Sequence, residues 1–84
     1  MTAVPLKDAI VYSMRNVTLL ELSYNGVARK VEPYSFRTSK DGNELLYAFC
    51  HKDGRIEAFR VDRIEHAKAT TDKFMPRYTV EIPE

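Results

Sequence analysis

The spacing of hydrophobic residues changes once along this chain, and the change separates a helix from a run of strands. In residues 5–15, Leu6, Ala9, Ile10, Ser13 and Met14 fall at i, i+3, i+4, i+7 and i+8, one narrow stripe down a helix. Pro5 suits the first helical position, and Asp8 and Arg15 sit near the ends that the helix dipole favours for their charges. A helix of about three turns is unstable alone in water, so this one must dock on something.

From Val17 onward the period is two. Residues 17–24 read as a strand with Leu20, Leu22 and Tyr24 on one face, and Asn25-Gly26 then supplies a hairpin turn in which both positions tolerate positive φ. Residues 27–38 form a second extended run. Pro33 within it removes a ladder donor, so that strand lies at an edge or bends. After the turn at Lys40-Asp41-Gly42-Asn43, residues 44–51 are apolar on both faces and are expected to be central. Lys52-Asp53-Gly54 turns the chain into a fourth strand over 55–61, and a short turn or helical piece precedes a fifth within 62–70. In the tail, Tyr78, Val80 and Ile82 alternate with polar residues, which predicts a half-buried strand over 77–82 able to join this sheet or a neighbour's. A short helix and about five short strands joined by tight turns predict a mainly β fold. The expected form is a small, bent antiparallel barrel of SH3- or Sm-like type over about residues 17–70.

Composition narrows the function. Eighty-four residues make one domain, here expected to span 1–84. With a net charge of +1, any anion binding must come from a local cluster. The single cysteine excludes an internal disulfide and fits a reducing, cytoplasmic setting. No apolar run approaches the ~20 residues of a membrane helix, and Lys7 and Asp8 stand where a signal peptide would be apolar. No membrane association is expected.

Neither metal nor cofactor chemistry is legible. Cys50 and His51 are adjacent, so a strand points them to opposite faces, away from a shared ion or a nucleophile–base pairing. Glu57 and Asp62 lie among arginines and read as ion-pair partners, and the scattered glycines form no phosphate loop. The expectation is a protein that is not an enzyme. What stands out is a basic set (Arg29, Lys30, Arg37, Arg55, Arg60, Arg63 and Arg77) interleaved with Tyr24, Tyr34, Phe36, Tyr47, Phe59 and Tyr78. Arginine forks onto phosphate or carboxylate while aromatic faces stack on bases.

These residues also carry a family resemblance. Ala9-Ile10 with Leu20-Glu21-Leu22-Ser23-Tyr24, then Arg29-Lys30-Val31-Glu32-Pro33-Tyr34, Leu46-Tyr47-Ala48-Phe49-Cys50-His51, Phe59-Arg60-Val61-Asp62-Arg63-Ile64 and Phe74-x-Pro76 follow the order of a WYL domain. The chain resembles that family over about residues 6–76, and Phe59–Ile64 is its most specific piece. Two departures fall where a ligand pocket is expected: Glu44-Leu45-Leu46 replaces the Trp-Tyr-Leu triplet, and Glu57 replaces an arginine, with Arg55 displaced by two positions.

The resemblance implies a regulatory module that binds a nucleotide or single-stranded nucleic acid, in transcription regulation or phage defence, and this chain is expected to be a free-standing copy of it. Its pocket falls on Tyr24, Arg29, His51, Arg60 and Arg63, with Tyr34, Arg55 and Tyr47 as secondary candidates. Arg60 and Arg63 share it only if the chain bends at Val61-Asp62, as the family implies. The competing expectation is a non-catalytic assembly subunit that docks on a protein partner, or on another copy, through the helix stripe and Tyr78, Val80 and Ile82.

Overall fold

The computed structural model describes residues 5–83. Helix α1 runs Leu6–Asn16, followed by strands β1 (Thr18–Tyr24), β2 (Val27–Thr38), β3 (Glu44–Cys50) and β4 (Arg55–Arg60). A single 3₁₀ turn at Val61–Arg63 leads into β5 (Ile64–Lys73). Pro5 stands one place before the first helical residue, and its carbonyl accepts the Ala9 N–H. The stripe read from the sequence faces the chain's own sheet, with Ile10, Ser13 and Met14 buried. The docking surface that so short a helix requires is therefore internal.

All strand pairs are antiparallel and the order is β4-β3-β2-β1-β5. The ladder runs from β4 at one edge to β5 at the other, which establishes a five-stranded sheet with a helix but leaves the expected closed barrel unformed by strand pairing. The middle strand is β2 rather than the strand over 44–51. Pro33 is tolerated there because β2 pairs with β1 only as far as Val31, which leaves β3 as its sole neighbour. Pro33 pairs with Ala48, the register then shifts as a bulge, and Ser35 pairs with Tyr47. β3 is buried on one face only, through Leu46, Ala48 and Cys50; on the other, Leu45 and Phe49 are half-buried and Tyr47 is exposed.

One sheet face holds the core. Leu20, Leu22, Val31, Leu46, Ala48, Cys50, Phe59 and Ile64 cluster there with Ile10 and Met14 of the helix. Pairing register fixes what else shares that face. Arg29 lies opposite Leu22, Glu57 opposite Ala48 and Arg55 opposite Cys50. The other face carries Glu32 opposite Phe49, and Lys30 opposite Glu21.

The expected strand over 77–82 does not form. Residues 74–83 cross the molecule as an irregular strap. Its backbone meets the body at Phe74 N–H to Val17 O (3.1 Å) and Glu81 N–H to Tyr34 O (2.8 Å), too few bonds for a ladder. Alternation alone could not distinguish a strand from a strap, because Val80 packs on the core and Tyr78 on Tyr34 in either case.

The Asn25-Gly26 turn has the geometry its sequence requires, with φ of 53° and 76°. Nothing lies within 4 Å of a Cβ built on Gly26, so Gly26→Ala tests the backbone term alone. We expect it to cost roughly 1–2 kcal/mol through the left-handed conformation, read as a lower urea midpoint with unchanged slope.

Candidate anion-binding site and a buried carboxylate hub

The eight residues singled out from the sequence separate into two groups. Tyr24 and Arg29 lie on the core face beside Phe59, whereas Arg60 pairs with Leu45 on the other face and meets Tyr24 only through its backbone. The Tyr24 and Phe59 rings meet edge to face at 5.1 Å, and the Arg29 guanidinium stands 5.8 Å from the Phe59 ring centre. The Arg60 backbone N–H donates to the Tyr24 hydroxyl at 3.3 Å. Arg60 then forks onto Asp62 through Nε (3.1 Å) and Nη2 (2.8 Å) and donates to Asn43 Oδ1 at 3.2 Å. The chain turns at Val61–Arg63, which puts Arg63 on the same bend, exposed. The Arg60 fork holds the Asp62 carboxyl below its ordinary range, and the Arg63 charge adds to this. Arg55 is largely exposed and reaches Glu57 only at 3.9 Å.

Arg29 is the inner member of this group. Its Nη1 donates to Asp53 at 3.4 Å and to Glu57 at 3.2 Å. Both contacts exceed the roughly 2.7–2.9 Å of a strong charge-assisted bond. Its Nε is buried with no hydrogen-bond partner among the described residues. The arrangement offers a fork, two aromatic rings and an unused donor, with acidic side chains loosely holding the positive charge. Cys50, Asp53 and Glu57 also place ligand atoms within 4.8 Å of one another, a grouping that the sequence reading missed. Arg29 already supplies the cation between those two carboxylates, so the grouping reads as an ion-pair site.

His51, Tyr34 and Tyr47 lie elsewhere. Tyr47 pairs with Ala58 on the non-core face and is partly exposed. His51 and Tyr34 converge on Glu32, which is 2% exposed. Glu32 accepts from the Tyr34 hydroxyl, from His51 Nε2 at 2.7 Å and from Arg77 Nε at 3.2 Å. The Tyr34 oxygen in turn accepts the Arg77 backbone N–H at 2.9 Å. Arg77 lies over Phe49, 4.2 Å from its ring centre. Burial alone would raise the Glu32 carboxyl, but the bonds from Tyr34, His51 and Arg77 outweigh it and hold the group below its ordinary value of 4.5. Burial and the Glu32 bond push the Tyr34 phenol from 10.0 up to about 12. The sequence signal for this hub was a lone glutamate between Val31 and Pro33.

The alternative docking surfaces are largely used internally. Ile10 and Met14 are fully buried in the core, and Val80 packs against it. Tyr78 and Ile82 remain partly exposed on the strap.

The hub makes stability depend on pH at both ends of the scale. A depressed carboxyl contributes stability above its unfolded value and loses it as pH falls through the folded value. A raised phenol contributes below 10.0 and loses stability as pH rises through about 12. Glu32→Gln should therefore lower stability at neutral pH by about 1–3 kcal/mol and flatten the acid limb below about pH 4.5, measured by urea unfolding across pH.

Comparison with known proteins bears on the whole arrangement. Among solved structures, the chain is similar to the proteasome accessory factor B/C (PafBC) of Arthrobacter aurescens, with a TM-score of 0.70 and 23% identity. The alignment covers 87% of this chain and 13% of that one, so the chain corresponds to a small part of that protein. A comparison with curated proteins finds no match. No helix among the described residues is long and apolar enough to cross a membrane. The model of the WYL domain matches residues 6–69, from the helix into β5, and the chain belongs to the WYL domain family.

Proposed function

We propose that this chain is a non-catalytic regulatory module that senses a nucleotide or a single-stranded nucleic acid at the Arg29 end of its core face. The observation that carries the reading is Arg29 itself. A guanidinium beside an aromatic ring, with a buried Nε lacking a partner and two long carboxylate contacts, is a cation held in place without being fully used. A phosphate oxygen would replace Asp53, which sits on the exposed turn between β3 and β4, and would bond more strongly to the fork than a distant carboxylate does. Tyr24 and Phe59 give an aromatic corner against which a base can rest, and Arg60 and Arg63 extend the positive charge along the bend at Val61–Arg63.

His51 takes no part in this site, because its side chain is committed to Glu32 on the other face. Glu57 faces Arg29 where the family's pocket has an arginine, so the site has less positive charge than the family pattern implies. This favours a ligand with one or two phosphates at a time over a long polyanion. Membership of the WYL family supports a cytoplasmic regulatory setting, with the response passed to a partner protein.

The test is fluorescence anisotropy of a labelled single-stranded oligonucleotide, with unlabelled mononucleotides as competitors, at low and moderate salt. Saturable binding that weakens with salt is expected, and Arg29→Ala or Arg60→Ala should weaken it by about tenfold or more while circular dichroism stays unchanged. Unaltered binding in both variants would leave the arginines as structural ion pairs.

A further inference from the structure

The face opposite Arg29 carries a second recognition arrangement that anion sensing does not use. Glu32 is a carboxylate almost sealed from water, and a buried charge of this kind requires a paired cation. Glu32, Tyr34 and Phe49 belong to the sheet, and His51 follows β3 directly. The cation does not: Arg77 comes from the strap, which has no regular structure. Its guanidinium bonds Glu32 edge-on and covers Phe49 with its flat face, the two contacts that distinguish guanidinium from ammonium. The side chain of Arg77 is still 52% exposed, so the site is reachable from solvent while occupied.

The sheet also reads the backbone and neighbours of that arginine. The Arg77 N–H bonds the Tyr34 hydroxyl, and the Glu81 N–H bonds the Tyr34 carbonyl. Phe74 and Tyr78 both meet the Tyr34 ring edge to face, at 5.8 and 5.3 Å. Three residues of the strap are thus recognised at once, as aromatic, then arginine three places on, then aromatic. The family match ends at residue 69, before the strap begins.

We propose that the non-core face of the sheet is a guanidinium-binding site for an extended peptide of the pattern aromatic-x-x-Arg-aromatic. The chain's own Phe74–Tyr78 segment fills it in cis, and a partner protein bearing that pattern binds by displacing the strap. The recognising groups sit on the sheet and its following turn, whereas the strap is held by its N–H contacts to Val17 and Tyr34, the Arg77 side chain, the Arg37–Glu81 ion pair at 2.8 Å, and the packing of Phe74 and Tyr78 on Tyr34 and of Val80 on the core. No strap residue pairs in the five-strand ladder, so exchange of the strap breaks none of the strand pairing.

The test uses the full chain with Arg77→Ala and a titration of ethylguanidinium followed by two-dimensional amide NMR. Saturable shifts are expected around Glu32, Tyr34, Phe49 and His51 in the variant and not in the unsubstituted chain. Ethylammonium should bind about tenfold more weakly, since it lacks the planar fork. Adding Glu32→Gln to Arg77→Ala should abolish the shifts. A synthetic peptide of residues 74–83 should likewise bind Arg77→Ala at least about tenfold tighter than the unsubstituted chain, and its arginine-to-alanine version should not bind. Should Arg77→Ala fail to fold, Arg77→Lys keeps a cation beside Glu32, and ethylguanidinium must still displace it. Absence of saturable shifts in the folded variant, or equal shifts with and without Arg77, overturns the proposal.

Discussion

The bend in β2 at Pro33 is the constraint on which the rest of this molecule depends. β2 pairs with β1 only as far as Val31, so at Pro33 it has β3 alone as neighbour and the missing proline donor is tolerated. There the chain inserts Tyr34 as an extra residue between the Pro33–Ala48 and Ser35–Tyr47 pairs. Val31 and Pro33 before the bulge share a face with Phe36 after it, because each pairs with a core residue of β3, namely Cys50, Ala48 and Leu46. Were Tyr34 paired in regular register, the second half of β2 would turn Phe36 outward, since a one-residue slip reverses every side chain. The bulge also frees the Tyr34 carbonyl from the ladder, and that carbonyl is the one that holds Glu81 of the strap.

The two faces of the sheet then have different work. One is closed by the helix, whose Ile10 and Met14 complete the core, and it ends in the Arg29 cluster where apolar packing gives way to ion pairs. The other is closed by the strap over Glu32. In a chain this small the core cannot cover both faces, and the second is covered by a charge network in place of apolar burial. Such a network is costly to break, because any one loss leaves a buried charge unpaired. It also fixes one arrangement of the strap among the many an irregular segment could take.

The arginines illustrate how one residue type does two kinds of work. Arg77 is engaged through its fork, its flat face and its backbone N–H, so it is fully used inside the protein. Arg29 is held by longer contacts and keeps a buried donor free. Both were visible in the sequence as members of one basic set, and nothing in their spacing distinguished them. The distinction depends on which face of the sheet each occupies. Arg29 falls opposite Leu22 within the ladder, whereas Arg77 reaches Glu32 only because the strap crosses back over the sheet.

Local signals were enough to place the helix stripe, the Asn25-Gly26 turn and the alternating strands, because each follows from periodicity or backbone sterics within a few residues. The family motif likewise led to the fold class. The sequence could not tell that β2 would be the middle strand, that strand pairing would leave the barrel open, or that the alternating tail would run as a strap. Those outcomes depend on which strands pair and which carbonyls remain free, and such contacts join residues forty or more positions apart. His51 shows the limit most clearly: a motif placed it with Arg29, and the pleat of β3 sent it to the opposite face, where a buried glutamate holds it.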